Sequence, residues 1–311
     1  LSMNPSIASI TTAYNAARIL PRQIDVLLRQ SRPLQEIIVV DNGSTDGTAA
    51  MVRERYPQVT VLRLSTNAGA AGGWAAGLRY AALERRHDWI WNFDDDSVPG
   101  ESTLEKMLSA GSQITEDKTL GMLAPLPVHE ATGTAYPPLL WRDGLVRPAS
   151  EILQKPIWFA DVVVASGCMV RREAVEAVGL PRADFFMDFF DFEYCLRMRA
   201  RNYKIAVITK CEFSHELGDA KIIRVGGRHH IWSQHAPWRE YYMSRNLTYS
   251  CFRLFPTAKT KRFAALQLFR HAGAIVLFGA KRTACLGKIF QGAVDGWRGR
   301  LGPRCLPPLE A

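Results

Sequence analysis

Glu36-Ile-Ile-Val-Val-Asp-Asn-Gly-Ser-Thr-Asp-Gly47 joins two chemistries in twelve residues. Its first half is an unbroken β-branched run, which suits a strand covered on both faces rather than one with a wet side. Its second half is a polar turn that supplies an N-cap for a helix through Arg55, with Asp46 the natural cap. A buried strand leading through a polar turn into a helix is one βα unit, and the unit repeats on either side. Ser6–Thr12 is a short β run, and Ile19–Gln30 carries Ile24, Leu27 and Leu28 at helical spacing. Val59–Leu64, the Gly73–Leu83 helix and the Trp89–Phe93 strand follow. Repeated βα units predict an α/β fold with a doubly wound, mostly parallel sheet. Ligands of such sheets collect at the carboxyl ends of the strands, where both acidic turns fall.

Further along, prolines punctuate residues 126–155, after which the pattern predicts a strand at Ile157–Ala165 and a helix at Arg171–Val178. Phe189–Asn202 follows as a helix and Lys204–Thr209 as a strand, and beyond residue 215 the βα rhythm stops. The expected division is therefore residues 1–218 as one α/β domain and 219–311 as a mainly helical extension. Net charge is +9, yet residues 256–311 hold ten Lys or Arg against only Asp295 and Glu310. A surplus confined to the tail argues against nucleic acid as the partner of the domain and leaves an anionic membrane surface as a candidate for the extension. The longest clean apolar run, Ala272–Ala280, is nine residues, too short to span a bilayer. The N-terminal residues carry no signal-peptide pattern. The six cysteines lie 16 to 40 residues apart without a Cys-x-x-Cys pair, which predicts buried free thiols rather than a zinc ribbon or disulfide scaffold.

Several clusters could carry chemistry. Asp94-Asp-Asp96 follows an apolar strand directly, and three adjacent carboxylates repel one another unless a cation sits among them. Hard oxygens suit Mg²⁺ or Mn²⁺ bridging to a diphosphate, although a solvated turn would look the same. Asp41, at the end of its strand, could accept the imide N–H of uracil or thymine, or merely hold its turn. Asn67-Ala-Gly-Ala-Ala-Gly-Gly-Trp74 lets backbone approach a phosphate or another helix, but it lacks the position and spacing of a dinucleotide fingerprint. Phe185-Phe-Met-Asp-Phe-Phe-Asp-Phe-Glu-Tyr-Cys-Leu-Arg197 sets Asp188 and Asp191 among phenylalanines, an environment that raises a carboxyl toward the range of a general base. Asp188 can instead cap the helix, and Glu193 and Arg197 are spaced for an ion pair.

Together these segments resemble the inverting family-2 glycosyltransferases of GT-A fold, from about Ser6 to Asp219 and less closely to Tyr249. The match rests on Ile37–Thr48, on Asp94-Asp-Asp96 and on the phenylalanine-rich segment. Asp96-Ser-Val-Pro99, Phe186–Arg197, His215–Asp219 and Tyr241-Tyr-Met-Ser-Arg-Asn246 most resemble bacterial rhamnosyltransferases. The Ala-Gly-Gly-Trp run and the full Asp-Asp-Asp are shared with galactofuranosyltransferases. The resemblance implies a nucleotide-sugar donor, dTDP- or UDP-linked, and a glycan or lipid-linked glycan acceptor in cell-surface polysaccharide synthesis. It implies a cytoplasmic enzyme working at the inner face of the membrane, with L-rhamnose from dTDP-rhamnose as the foremost sugar and galactofuranose as the alternative. Asp191 takes the position of the catalytic base. Thr11, Thr12, Ala13, Tyr14, Asp41, Asn67 and Asp94 fall at the nucleotide, and Asp95, Gly72, Gly73 and Trp74 at the donor sugar. Asp94, Asp96 and His215 fall at a Mg²⁺ or Mn²⁺ ion. Phe190 departs from the pattern, since many relatives carry an acid directly before the base. A sugar nucleotidyltransferase is the rival enzyme class, but its phosphate-gripping glycine loop should occupy Thr12-Ala-Tyr-Asn-Ala16. A non-enzymatic membrane-docking module is the rival from outside enzymology.

Overall fold

A computed structural model describes residues 5–115, 117–128, 138–142, 145–148, 155–214, 220–225, 228–233 and 235–306. The chain begins β1 (Ile7–Ala13), α1 (Leu20–Leu28), β2 (Glu36–Asp41), α2 (Thr48–Arg55), β3 (Thr60–Arg63), α3 (Gly69–Leu78) and β4 (Trp89–Asp94). After α4 (Thr103–Thr115) and β5 (Leu120–Val128) comes a short hairpin of β6 (Leu139–Arg142) and β7 (Leu145–Pro148). Then follow β8 (Ile157–Ala160), β9 (Met169–Arg171), α5 (Arg172–Val178), α6 (Phe190–Ala200) and β10 (Lys204–Ser214). The remainder is β11 (Ala220–Val225), β12 (Arg228–Ser233), α7 (Pro237–Tyr249), α8 (Ala258–Phe278) and α9 (Arg282–Arg298). Two compact units account for these elements. One is Leu1–Trp141, Val146–Ala183 and Phe190–Glu216, and the other is Arg142–Leu145, Asp184–Phe189 and Leu217–Ala311.

The first unit is built on an eight-stranded sheet of order β3-β2-β1-β4-β9-β5-β10-β8. β1 is parallel to both β2 and β4, and β2 is parallel to β3. Ile38, Val39 and Val40 are fully buried, as an unbroken apolar run demands. The strand order reverses between β1 and β4, which is where doubly wound sheets open their ligand crevice. In register, Thr12 lies beside Asp94 and Ala13 beside Asp41. With strands about 4.8 Å apart, the two acidic strand ends flank the first loop at roughly one strand spacing each.

Several expected boundaries shift. The helix expected from Gly73 begins at Gly69, where Asn67 Oδ1 accepts the Gly69 N–H at 2.8 Å, and it widens into a π-helical turn over Arg79–Glu84. The strand expected over Ile157–Ala165 stops at Ala160, because Asp161 turns to accept the Trp141 N–H at 2.5 Å. β10 outruns its expected end at Thr209 through a register shift between Ile208 and Glu212. β9, three residues antiparallel to both neighbours, has too little length to show a sequence pattern. Five of the six cysteines are buried and all are free.

The second unit contains the β11–β12 hairpin, absent from the expected helical extension, and the three helices α7 to α9. α9 packs on α7 where Gly292 and Gly296 face the Tyr241 and Arg245 carbonyls.

Gly43 tests the polar turn. It holds φ +77°, and an added Cβ would lie 2.7 Å from the Thr66 carbonyl carbon and 2.8 Å from Asn67 N. Gly47 holds φ +87° with open space around it. Gly43→Ala should cost about 3 kcal/mol or more in urea unfolding, combining backbone strain with overpacking, and Gly47→Ala only about 1 kcal/mol.

Candidate active site

After β1 the chain turns through Tyr14-Asn15-Ala16-Ala17, where a phosphate-gripping fold presents backbone N–H groups to its ligand. Here all four are taken by side chains. Asp95 Oδ2 accepts from Tyr14 at 3.0 Å, and Ser44 Oγ accepts from Asn15 at 3.0 Å. Thr48 Oγ1 accepts from Ala16 at 3.0 Å, and Asp46 Oδ2 accepts from Ala17 at 3.0 Å. Two acceptors come from the turn after β2, one from the first residue of α2 and one from the turn after β4. Asn15 itself sits at φ +51°, with its Oδ1 accepting the Thr45 N–H at 2.9 Å.

Gln23, a polar residue on the buried stripe of α1, ties the other side of this loop. It accepts from Thr11 Oγ1 at 2.7 Å and donates to the Asp94 carbonyl at 2.6 Å and to the Ser97 carbonyl. A chain of hydroxyls then orients the acidic turn. The Asp94 N–H donates to Ser166 Oγ at 3.1 Å, Ser166 to Ser97 Oγ at 3.0 Å, and Ser97 to Asp96 Oδ1 at 3.2 Å. Burial pushes the Asp95 carboxyl up to about 7 despite the Tyr14 N–H, and the charges of Asp94 and Asp96 add to the rise. The three carboxylates are thus divided in role. Asp95 faces the first loop, while Asp94 is half-buried and Asp96 exposed.

This donor set fits a hard divalent cation of the open kind, bound by one or two carboxylates and completed by substrate phosphate and water. Among the described residues no group of three His, Cys, Asp or Glu side chains forms a closed metal cage. His215, expected as a further ligand, lies outside the described residues.

Asp41 is fully buried. Its Oδ1 accepts the Ser44 N–H at 3.1 Å, whereas its Oδ2 has no hydrogen bond and faces Arg63 Nε at 3.4 Å. A buried carboxylate oxygen without a donor is costly, and an imide N–H would satisfy it once the half-exposed Arg63 moved aside. Asn67 is committed to the neighbouring loop, its Oδ1 accepting from Asn42 Nδ2 at 3.2 Å as well as from Gly69.

Gly72, Gly73 and Trp74, expected at the donor sugar, are buried in this structure. A Cβ on Gly73 would lie 2.2 Å from Thr12 Cγ2, so its bareness serves helix–strand packing. Gly72 is buried too, with the Ala68 methyl 2.5 Å from where its Cβ would be. Trp74 is 1% exposed and meets Phe190 and Tyr194 edge-on, with ring centroids 5.9 and 5.1 Å apart. These rings flank Asp191, so Trp74 seats the helix that carries it. Asp191 lies half-buried in the first turn of α6. Its Oδ1 accepts the Phe192 N–H at 2.9 Å. The expected Glu193–Arg197 pair forms at 2.8 Å.

Asp188 belongs to the second unit and does not cap α6. It stands at φ +59°, between Phe186 at +64° and Phe189 at +62°, and pairs with Arg239 Nη2 at 3.0 Å. Left-handed backbone at three bulky or charged residues persists only under constraint. Asn246 Nδ2 supplies it by donating to the carbonyls of Phe185, Met187 and Asp188 at 3.0, 2.7 and 2.9 Å. Arg245 donates to the Phe185 carbonyl at 2.7 Å, and Phe186 stacks on Tyr242 at 4.7 Å. The Tyr241–Asn246 motif is therefore a clamp on the Asp184–Phe189 backbone, a role that its sequence does not announce.

Comparison with known proteins agrees with this architecture. Residues 9–179 match the family described as Glycosyl transferase family 2, and the chain belongs to that family. It is similar to dTDP-rhamnosyl transferase RfbF of Shigella flexneri, 25% identical over 96% of this chain and 98% of the relative. It is also similar to galactofuranosyltransferase GlfT1 of Mycolicibacterium smegmatis, 24% identical over 78% of this chain and 82% of the relative. Among solved structures, mannosyltransferase PcManGT from Pyrobaculum calidifontis in complex with GDP-Man and Mn²⁺ aligns with TM-score 0.55 and 18% identity, covering 95% of this chain and 88% of that one. S. aureus TarS in complex with UDP aligns at 0.53 and 16%, covering 95% and 83%. These alignments show the GT-A fold.

The loop staples give a direct test. Thr48→Val keeps the shape but leaves the Ala16 N–H without its acceptor, so chemical unfolding should show a loss of about 1–3 kcal/mol, with Thr48→Ser restoring most of it.

Proposed function

We propose that the enzyme transfers L-rhamnose from dTDP-L-rhamnose to a glycan or lipid-linked glycan in bacterial cell-surface polysaccharide synthesis, with inversion at the anomeric carbon. The observation that carries the sugar is the similarity to RfbF, which runs through both units to 96% of the chain. The GlfT1 likeness stops at 78%, which keeps UDP-galactofuranose as the second reading.

In this mechanism Asp191 accepts the acceptor hydroxyl's proton as that oxygen attacks the anomeric carbon, and the bond to the donor diphosphate breaks on the opposite face. What supports that role is its half-buried place in the first turn of α6, on the helix seated by Trp74 against Phe190 and Tyr194. Asp41 Oδ2 receives the thymine imide N–H, and the backbone of Thr11 to Tyr14 lines the nucleoside together with Asn67. Asp94 and Asp96, with His215 as the expected third partner, would hold Mg²⁺ or Mn²⁺, which supplies charge neutralisation at the diphosphate when bound. Asp95 positions the first loop against the donor. A nucleotidyltransferase reading loses its footing here, because the N–H groups it would aim at a triphosphate are already bonded to Asp95, Ser44, Thr48 and Asp46.

The test is initial-rate hydrolysis of dTDP-L-rhamnose and UDP-galactofuranose by the pure enzyme with Mg²⁺ or Mn²⁺, followed by transfer to a matched acceptor. dTDP-L-rhamnose should be the faster donor, and preference for UDP-galactofuranose would overturn the sugar assignment. Asp191→Asn should lower transfer by roughly 10²–10⁴-fold with donor affinity changed only a few-fold, the usual worth of a general base. Asp188→Asn should lose stability rather than the chemical step, and the reverse outcome would mean that the base is misassigned.

A further inference from the structure

We propose that the α8–α9 hairpin is a docking surface for an anionic lipid bilayer. Each helix buries one stripe and leaves an apolar stripe uncovered on its other side. In α8 the buried residues include Ala264 and Ile275, and in α9 Cys285, Ile289, Gly292 and Gly296. Away from these, Leu266, Phe269 and Leu277 stand out from α8 at helical spacing, with Phe269 78% exposed and Leu277 68%. In α9, Phe290 and Trp297 are seven residues apart, hence on one face, and are 73% and 57% exposed. Isolated exposed apolar residues are ordinary, but five large ones on two consecutive helices, at helical spacing within each, are more apolar surface than water favours.

Charge decides what covers it. Arg262 and Arg270 lie beside the Phe269 stripe, and Lys281 and Arg282 occupy the bend between the helices, all exposed. Between residues 256 and 306 the sole acid is Asp295. It is buried and bonded to Tyr241 Oη at 2.8 Å, so the exposed face of the hairpin carries no negative side chain. A second copy of the chain would bring the same positive surplus face to face and be repelled. An anionic headgroup layer offers the complement, phosphate for the cations and acyl chains for the phenylalanines. No helix among the described residues is long and apolar enough to cross a membrane, so the contact is peripheral. It holds whichever sugar the enzyme uses.

The test is flotation of the full chain with phosphatidylcholine–phosphatidylglycerol vesicles and with pure phosphatidylcholine vesicles, beside sedimentation velocity of the lipid-free protein. The wild type should float with the mixed vesicles, be released by salt, and remain with the soluble fraction over phosphatidylcholine. Arg262→Gln/Arg270→Gln should weaken vesicle partition about twenty-five-fold, about fivefold for each cation. Phe269→Ser/Phe290→Ser should weaken it at least as much. Both pairs are exposed, and unchanged thermal melting verifies that the fold survives. No flotation, equal binding to neutral vesicles, or variants that bind vesicles normally while dissolving a self-associated species would each overturn the proposal.

Discussion

Four consecutive backbone N–H groups, from Tyr14 to Ala17, set the terms on which this fold can hold a nucleotide. They emerge from β1 at the reversal of strand order, the place where many α/β proteins grip phosphate with bare backbone. In this chain each N–H is spent on a side-chain oxygen from Asp95, Ser44, Thr48 or Asp46. The polar residues after β2 are thus staples rather than ligands. Their cooperation with Asp95 welds two acidic strand ends to one loop.

A donor diphosphate must consequently find its positive partner elsewhere. The acidic turn after β4 is the candidate, with Asp96 held by the Ser166–Ser97 hydroxyl chain and with Asp95 turned away toward the first loop. Division of labour among three adjacent carboxylates explains how so much like charge is tolerated. Asp95 is pushed toward the neutral form by burial, which lessens the repulsion within the turn. In the α6 region a related economy holds, since Trp74, Phe190 and Tyr194 use aromatic edges to fix the helix while Asp191 keeps its carboxylate at the helix start.

The parallel core of the sheet was legible because Ile37–Val40 and Trp89–Phe93 must be buried on both faces, and the acidic residues that end them mark its carboxyl edge. The family followed from the joint occurrence of these turns with the phenylalanine-rich segment. What stayed hidden depends on partners remote in sequence. Asp188 reads as a cap until Arg239, Arg245 and Asn246 are seen to hold its segment in left-handed backbone. Gln23 looks like a lapse in an apolar stripe, and only the fold shows it joining Thr11 to the acidic turn. The glycine run left a ligand and close packing both open, and at Gly73 it is Thr12 of β1 that lies against the bare Cα, a helix–strand distance that no local pattern encodes.

If the first loop has no N–H to offer, the grip on the donor depends on a cation at the Asp94–Asp96 turn. Calorimetric titration of dTDP into the wild-type enzyme, with Mn²⁺ and then with chelator, measures this directly. Binding with Mn²⁺ should collapse in the chelator, whereas the same dTDP affinity in both conditions would mean that the donor is held without a cation.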